Sequence, residues 1–300
     1  MIHDKVYLNS NKTAYVEVYA LDSDISYQVY KKRPAMIICP GGAYLISAVK
    51  EGEAVASQFL SQGYSCFVLR YSTFLQDRES LVSDSPNIDR DAYYPQQTLQ
   101  LLETIHLIRE NADAWNIDEE AIFATGFSAG GHIVGTVATR WNDPYFIDKL
   151  SFNPKGNELK LSGCILGYPM LEGPLLEHSN DALRKQSKLM ELCLYGHTNP
   201  TSFEKERLEL IRFISKETSP IFAWHTTGDD VTSARLTTDF ISEVQKYGVE
   251  AEYHLFSGGQ HGLSISNKLY AKNNSEINSR IALWLPLVYN WLDYIRRELD

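Results

Sequence analysis

Six stretches of the chain are mainly apolar and do not alternate: AMIICP (35–40), SCFVLRY (65–71), AIFATGF (121–127), LSGCILGYP (161–169), IFAWHT (221–226) and AEYHLF (251–256). A strand with one face in water alternates apolar and polar residues. A strand covered on both faces does not, which is the condition of a parallel sheet flanked by helices. The six runs are therefore expected to be strands buried on both faces. YVEVYAL (15–21) and SYQVYKK (26–32) alternate instead. They predict an antiparallel pair with the polar LDSD between them as its turn.

Helical periodicity fills the gaps. EGEAVASQFLSQG (51–63) ends at a glycine, a C-cap signal, and Leu101, Leu102, Ile105, Ile108 and Ala112 line one face of a helix over 96–114. Ile133, Val134 and Val137 continue a helical pattern after Ser128, and Leu236, Phe240, Ile241 and Val244 mark another over 233–247. Alternating strand and helix predict an α/β fold: a right-handed, doubly wound, mostly parallel sheet with helices on both faces. One connection, 170–219, is too long for a simple crossover. It holds the periodic set Leu183, Gln186, Met190, Cys193 and Leu194, then FEKERLELIRFI. It is expected to form a small helical cap over the sheet's C-terminal edge, where open α/β sheets bind ligands, within a single domain spanning 1–300.

Composition narrows the partners. The 300 residues are 44% apolar, enough for a sizeable core, and carry a formal net charge of -10. That charge argues against nucleic acid or an anionic membrane, both of which call for basic patches. No apolar run reaches the ~18 residues a bilayer span needs. No basic stretch followed by an apolar one opens the chain. Cys39, Cys66, Cys164 and Cys193 are widely spaced, with no C-x-x-C. These features lead to the expectation of a cytoplasmic protein with reduced thiols and no metal. No cofactor is implied either, because a dinucleotide fingerprint would need glycine in place of Ser128.

The candidate chemistry starts in ATGFSAGGH (124–132), where Gly126, Gly130 and Gly131 crowd around Ser128 directly after an apolar run. In a strand–turn–helix setting, G-x-S-x-G holds a serine in strained backbone geometry with its oxygen exposed. Serine is a weak nucleophile near neutral pH, so it needs a base, and the base needs an orienting acid. Two later strands supply both in the order Ser, Asp, His: TGDD with Asp229 and Asp230, then SGGQHGL with His261 in a glycine-rich loop. His225 precedes the acid and so stands outside that order as a strand residue near the site. The strand AMIICP runs into PGGAY, where Gly41 and Gly42 let the backbone approach a substrate; with the N–H of Ala129 this loop is the candidate oxyanion hole.

Taken together, PGGAYLISAVKEGEAVASQFLSQGYSCFVLRY, LIRENADAWNIDEEAIFATGFSAGGH, LGYP, TSPIFAWHTTGDD and the SGGQHG loop resemble the esterase/lipase branch of the α/β-hydrolases, the acetyl-xylan-esterase-like, BD-FAE-like group. The resemblance runs from about residue 35 to 262 and implies the α/β-hydrolase fold. It implies Ser128 as nucleophile, His261 as base and amides near Gly41, Gly42 and Ala129 as the oxyanion hole. It implies Asp229 as the acid, four residues after His225. Two positions depart from the family pattern: Ala43 stands where a third glycine is usual, and TGDDVTS lacks the V-P that often follows the aspartate. The expected activity is hydrolysis of short-chain esters, acetyl foremost and of acetylated sugars among others, with a small-molecule ester as the partner. Tyr44, Tyr168 and Tyr195 are candidates for stacking on a sugar. A peptidase of the same fold and a non-catalytic binding module are the alternatives.

Overall fold

The computed structural model describes residues 1–21, 32–174 and 181–299. Its eight strands are β1 (Ile2–Tyr7), β2 (Tyr15–Ala20), β3 (Arg33–Cys39), β4 (Ser65–Arg70), β5 (Ile117–Phe127), β6 (Gly163–Gly167), β7 (Ile221–Thr226) and β8 (Ala251–Phe256). They form one sheet in the order β1-β2-β4-β3-β5-β6-β7-β8. From β4 to β8 every pairing is parallel; β2 runs antiparallel to both β1 and β4. The helices are α1 (Glu53–Leu60), α2 (Gln96–Glu110), α3 (Ala129–Arg140), α4 (Pro144–Ile147), α5 (Asp181–Tyr195), α6 (Ser202–Glu206), α7 (Ala234–Lys246) and α8 (Trp284–Leu299).

The period-2 geometry of a strand divides each apolar run between two cores. In β3, Ala35, Ile37 and Cys39 enter one core together with Leu102 and Ile105 of α2, Val134 of α3 and Phe240 of α7. Met36 and Ile38 enter the other with Val55 and Phe59 of α1 and Trp284 and Val288 of α8. This is why the runs read as continuous: neither face of the central strands meets water.

Two expectations about strands change. YVEVYAL does form an antiparallel pair, but its partner in the described structure is β1; SYQVYKK falls mostly at 26–31, outside the described residues. AEYHLF is not buried on both faces. As β8 it closes the sheet, pairing among the described residues with β7 alone, and its side chains are half-buried, with Leu255 exposed.

The long connection 170–219 carries α5, α6 and a short 3₁₀ turn at Leu210–Phe213. FEKERLELIRFI is therefore only partly α-helical. Leu189, Met190, Cys193 and Leu194 of α5 pack into the same core as α2 and α3, which seats this segment beside the C-terminal ends of the strands. Among the described residues, no helix is long and apolar enough to cross a membrane.

Candidate active site

Ser128 sits between β5 and α3 with φ 53° and ψ -118°, a conformation sterically unfavourable for a residue with a Cβ. The glycines around it allow close approach. A Cβ on Gly126 would lie 2.2 Å from the carbonyl oxygen of Gly130, and one on Gly130 would lie 2.1 Å from that of Cys39. The turn therefore packs against β3 and lifts Ser128 off the sheet, with its N–H anchored to the carbonyl of Gly167 at 3.1 Å.

His261 and Asp229 come from the loops after β8 and β7. His261 Nδ1 lies 2.7 Å from Asp229 Oδ2, and Nε2 lies 2.9 Å from Ser128 Oγ. An ionised carboxylate only accepts, so Nδ1 carries the proton and Nε2 accepts the Ser128 hydroxyl. The Asp229 side chain is fully buried. Burial alone would raise its carboxyl, yet hydrogen bonds from His225 and His261 and the N–H of Thr232 hold it well below the usual carboxylate range. Oδ1 accepts the N–H groups of Val231 and Thr232, both at 2.9 Å. Asp230, by contrast, is exposed, and the N-cap of α7 is Ser233.

At the β3 end, Gly42 (φ 124°), Ala43 (φ 60°) and Tyr44 (φ 63°) turn the chain sharply. The N–H of Gly41 is not free for a substrate: it donates to Glu51 Oε2 at 2.7 Å. Among the described residues no acceptor takes the N–H of Gly42, Ala43 or Ala129. The unpaired donors at this corner are thus displaced by one residue from the Gly41 and Gly42 expected on sequence.

A cavity of about 80 Å³ opens beside Ser128, with Ala43, Met170, Leu183, Met190 and Leu236 on its walls. Leu183 and Met190 belong to α5, so the connection 170–219 does line the space facing the serine. Glu172, also on the wall, has its carboxyl raised by burial and by nearby Glu209.

Tyr44 and Tyr168 are not platforms for a sugar, because both are buried. Tyr44 O–H donates to His132 Nδ1 at 2.7 Å, and His132 Nε2–H donates to the carbonyl of Leu208 at 3.0 Å. Burial pushes the His132 imidazole down to about 4, so it is neutral near pH 7. Tyr195 lines a different cleft with Tyr93, Tyr94 and Tyr145. Sequence reasoning missed His132 and Glu51 as buried partners of the site. A charged residue in a helix-start pattern gives no sign that it points inward.

The four cysteines are free and buried. Among the described residues no group of three or more His, Cys, Asp or Glu side chains is placed to hold a metal ion.

A doubly wound sheet with a strained serine after its central strand defines an α/β-hydrolase of the esterase-like kind. The BD-FAE family model matches residues 21–244, most of the chain, and the protein belongs to that family. It is similar to endo-1,4-beta-xylanase B of Butyrivibrio fibrisolvens, 29% identical over 238 residues that make up 79% of this chain and 33% of that protein. The chain spans less than half the length of the curated relatives it matches. Among solved structures it resembles the carboxylesterase Cest-2923 from Lactobacillus plantarum (26% identity, TM-score 0.75, 100% of this chain and 98% of that one). It also resembles an acetyl ester-xyloside bifunctional hydrolase from Caldicellulosiruptor lactoaceticus (26% identity, TM-score 0.70, 98% and 96%).

Proposed function

We propose that the protein is a serine carboxylester hydrolase acting on short-chain esters, acetyl esters of sugars foremost, through an acyl-enzyme. The observation that carries this reading is the unbroken hydrogen-bond chain Asp229–His261–Ser128 beside a small, largely apolar cavity. Likeness to an acetyl ester-xyloside hydrolase supports acetylated sugars as the substrate class.

In this reading His261 Nε2 takes the Ser128 proton as Oγ attacks the ester carbonyl, and Asp229 holds the imidazole tautomer and stabilises the imidazolium. The tetrahedral oxyanion forms against backbone N–H groups at Gly42, Ala43 and Ala129, a preorganised set that needs no rearrangement as charge develops. His261 then protonates the leaving alcohol, and water repeats the sequence to release the acid. The segment 170–219 acts as the cap: Leu183 and Met190 bound the cavity and limit the length of the group that fits.

The test is a kinetic comparison of p-nitrophenyl esters of increasing chain length with acetylated xylo-oligosaccharides. Turnover of acetyl esters on both scaffolds, with deacetylated xylo-oligosaccharide as product, is the expected result. Absence of turnover on every ester by folded protein would refute it.

A further inference from the structure

The EGE stretch ahead of α1 reads as a pair of helix-starting charges, yet Glu51 is only 3% exposed. Its two oxygens accept from two different parts of the chain: Gly41 N–H at 2.7 Å on Oε2 and Tyr168 O–H at 2.6 Å on Oε1. Tyr168 in turn touches the loops that carry His261 and Asp229. Its phenol oxygen accepts the N–H of Ser264, three residues beyond His261, at 2.9 Å, and its ring meets the His261 ring edge-on at 5.0 Å. Its carbonyl accepts Thr232 Oγ–H at 3.2 Å, in the loop of Asp229. Ser264 Oγ–H closes the circuit on the carbonyl of Lys50 at 2.6 Å. Tyr168 itself is held at φ 34°.

A buried carboxylate is a poor way to gain stability, since well-packed apolar groups do as well or better without the desolvation penalty. What this one does is geometric. It takes up the Gly41 N–H, and the chain then turns through Gly42 and Ala43, whose N–H groups meet no acceptor among the described residues. A Cβ on Gly41 would lie 3.0 Å from Ser128 Cβ, so the loop it fixes runs directly beside the nucleophile.

We infer that Glu51 and Tyr168 are positioning residues for the reaction: the Glu51 carboxylate sets the oxyanion loop, and Tyr168 locks that loop to the loops carrying His261 and Asp229. This rests on Ser128 being the nucleophile and on the Gly42, Ala43 and Ala129 amides being the oxyanion donors. Neither side chain meets the ester. They act through where the amides point, and small misplacements of reacting groups are expensive.

The experiment uses the full chain with Glu51→Gln, Tyr168→Phe and the double variant. It measures kcat per active site, titrated with a fluorophosphonate, KM for p-nitrophenyl acetate, and inhibition by a trifluoromethyl ketone, whose hydrated adduct places an oxyanion in the hole. Each single change should lower kcat roughly ten- to hundredfold and weaken the ketone by the same factor, while KM stays within about twofold. Because the two residues form one strut, the double variant should be no worse than about threefold below the poorer single one. If Glu51→Gln fails to fold, Tyr168→Phe, which keeps the ring and loses one oxygen, decides. An unchanged kcat per titrated site and unchanged ketone inhibition would overturn the inference while leaving the esterase reading intact. A wild-type chain that takes no adduct on Ser128 would overturn both.

Discussion

His225 Nε2 lies 3.2 Å from Asp229 Oδ2, the same oxygen that accepts His261 Nδ1–H at 2.7 Å. Both side chains of the His225–Asp229 pair are fully buried. His225 Nδ1 is 2.9 Å from Thr237 Oγ1, so the threonine hydroxyl donates to Nδ1 and leaves Nε2–H for the carboxylate. The carboxylate thus keeps its charge in a dry site because two imidazoles and two amides share it.

The first prediction follows from that pairing. His225→Phe keeps the ring volume and removes the donor, so kcat should fall roughly tenfold with KM nearly unchanged, the loss of one orienting hydrogen bond. Steady-state kinetics check this, and full activity would mean that the backbone amides of Val231 and Thr232 and the Thr232 hydroxyl suffice to orient Asp229.

Asp229 and its neighbour should separate cleanly. Asp229→Asn favours the wrong tautomer of His261 and should lower kcat by roughly 10⁴-fold, as the same change does in serine proteases. Asp230 is exposed, so Asp230→Asn should change kcat by about twofold or less. Both are assayed after circular dichroism establishes folding; the reverse pattern would exchange the two roles.

Stability should fall in acid because of His132. Its folded-state value is about 4 against an ordinary 6.5, so between those values the unfolded chain binds a proton that the folded chain refuses. The penalty begins as pH drops below about 6.5 and is complete below about 4, on the order of 3 kcal/mol. Glu103, raised to about 7 by burial, pulls the other way from about pH 7 to 4.5, so the His132 share is read by difference. Urea unfolding of wild type and His132→Gln at several pH values should show the variant's deficit shrinking as pH falls. A constant deficit would mean that His132 does not titrate as described.

The cavity walls predict chain-length preference. With Ala43, Leu183 and Met190 around a space of about 80 Å³, acetyl and butyryl esters should outperform acyl chains of about ten carbons. Met190→Ala should move the optimum toward longer chains. An optimum at long chains in the wild type would contradict this assignment of the pocket.

Much of this was legible from the residues. Buried parallel strands have no polar side, so the runs at β3 to β7 announce themselves, and the chain order of Ser128, Asp229 and His261 follows from the loops after β5, β7 and β8. What stayed hidden lacks a local pattern. IHDKVY of β1 is an exposed edge strand that, among the described residues, pairs with β2 alone, so nothing apolar marks it. AEYHLF resembles its central neighbours in composition, and only its place at the end of the sheet exposes it. Trp284, which opens α8, stacks on Trp224 at 5.2 Å and donates Nε1–H to the carbonyl of Ser264, steadying the His261 loop from a distance in sequence that periodicity cannot span. Glu51 and Gly41 likewise depend on a tertiary contact: which amide of a Pro-Gly-Gly turn is free is decided by the acceptor beside it.

The central claim, that Ser128 is a nucleophile activated by His261, is tested most directly by treating the folded chain with a fluorophosphonate and mapping the adduct by peptide mass spectrometry. The account predicts a single stoichiometric adduct on Ser128, abolished in Ser128→Ala and slowed by at least about a hundredfold in His261→Ala. An adduct on another residue, or none on folded protein, would contradict it.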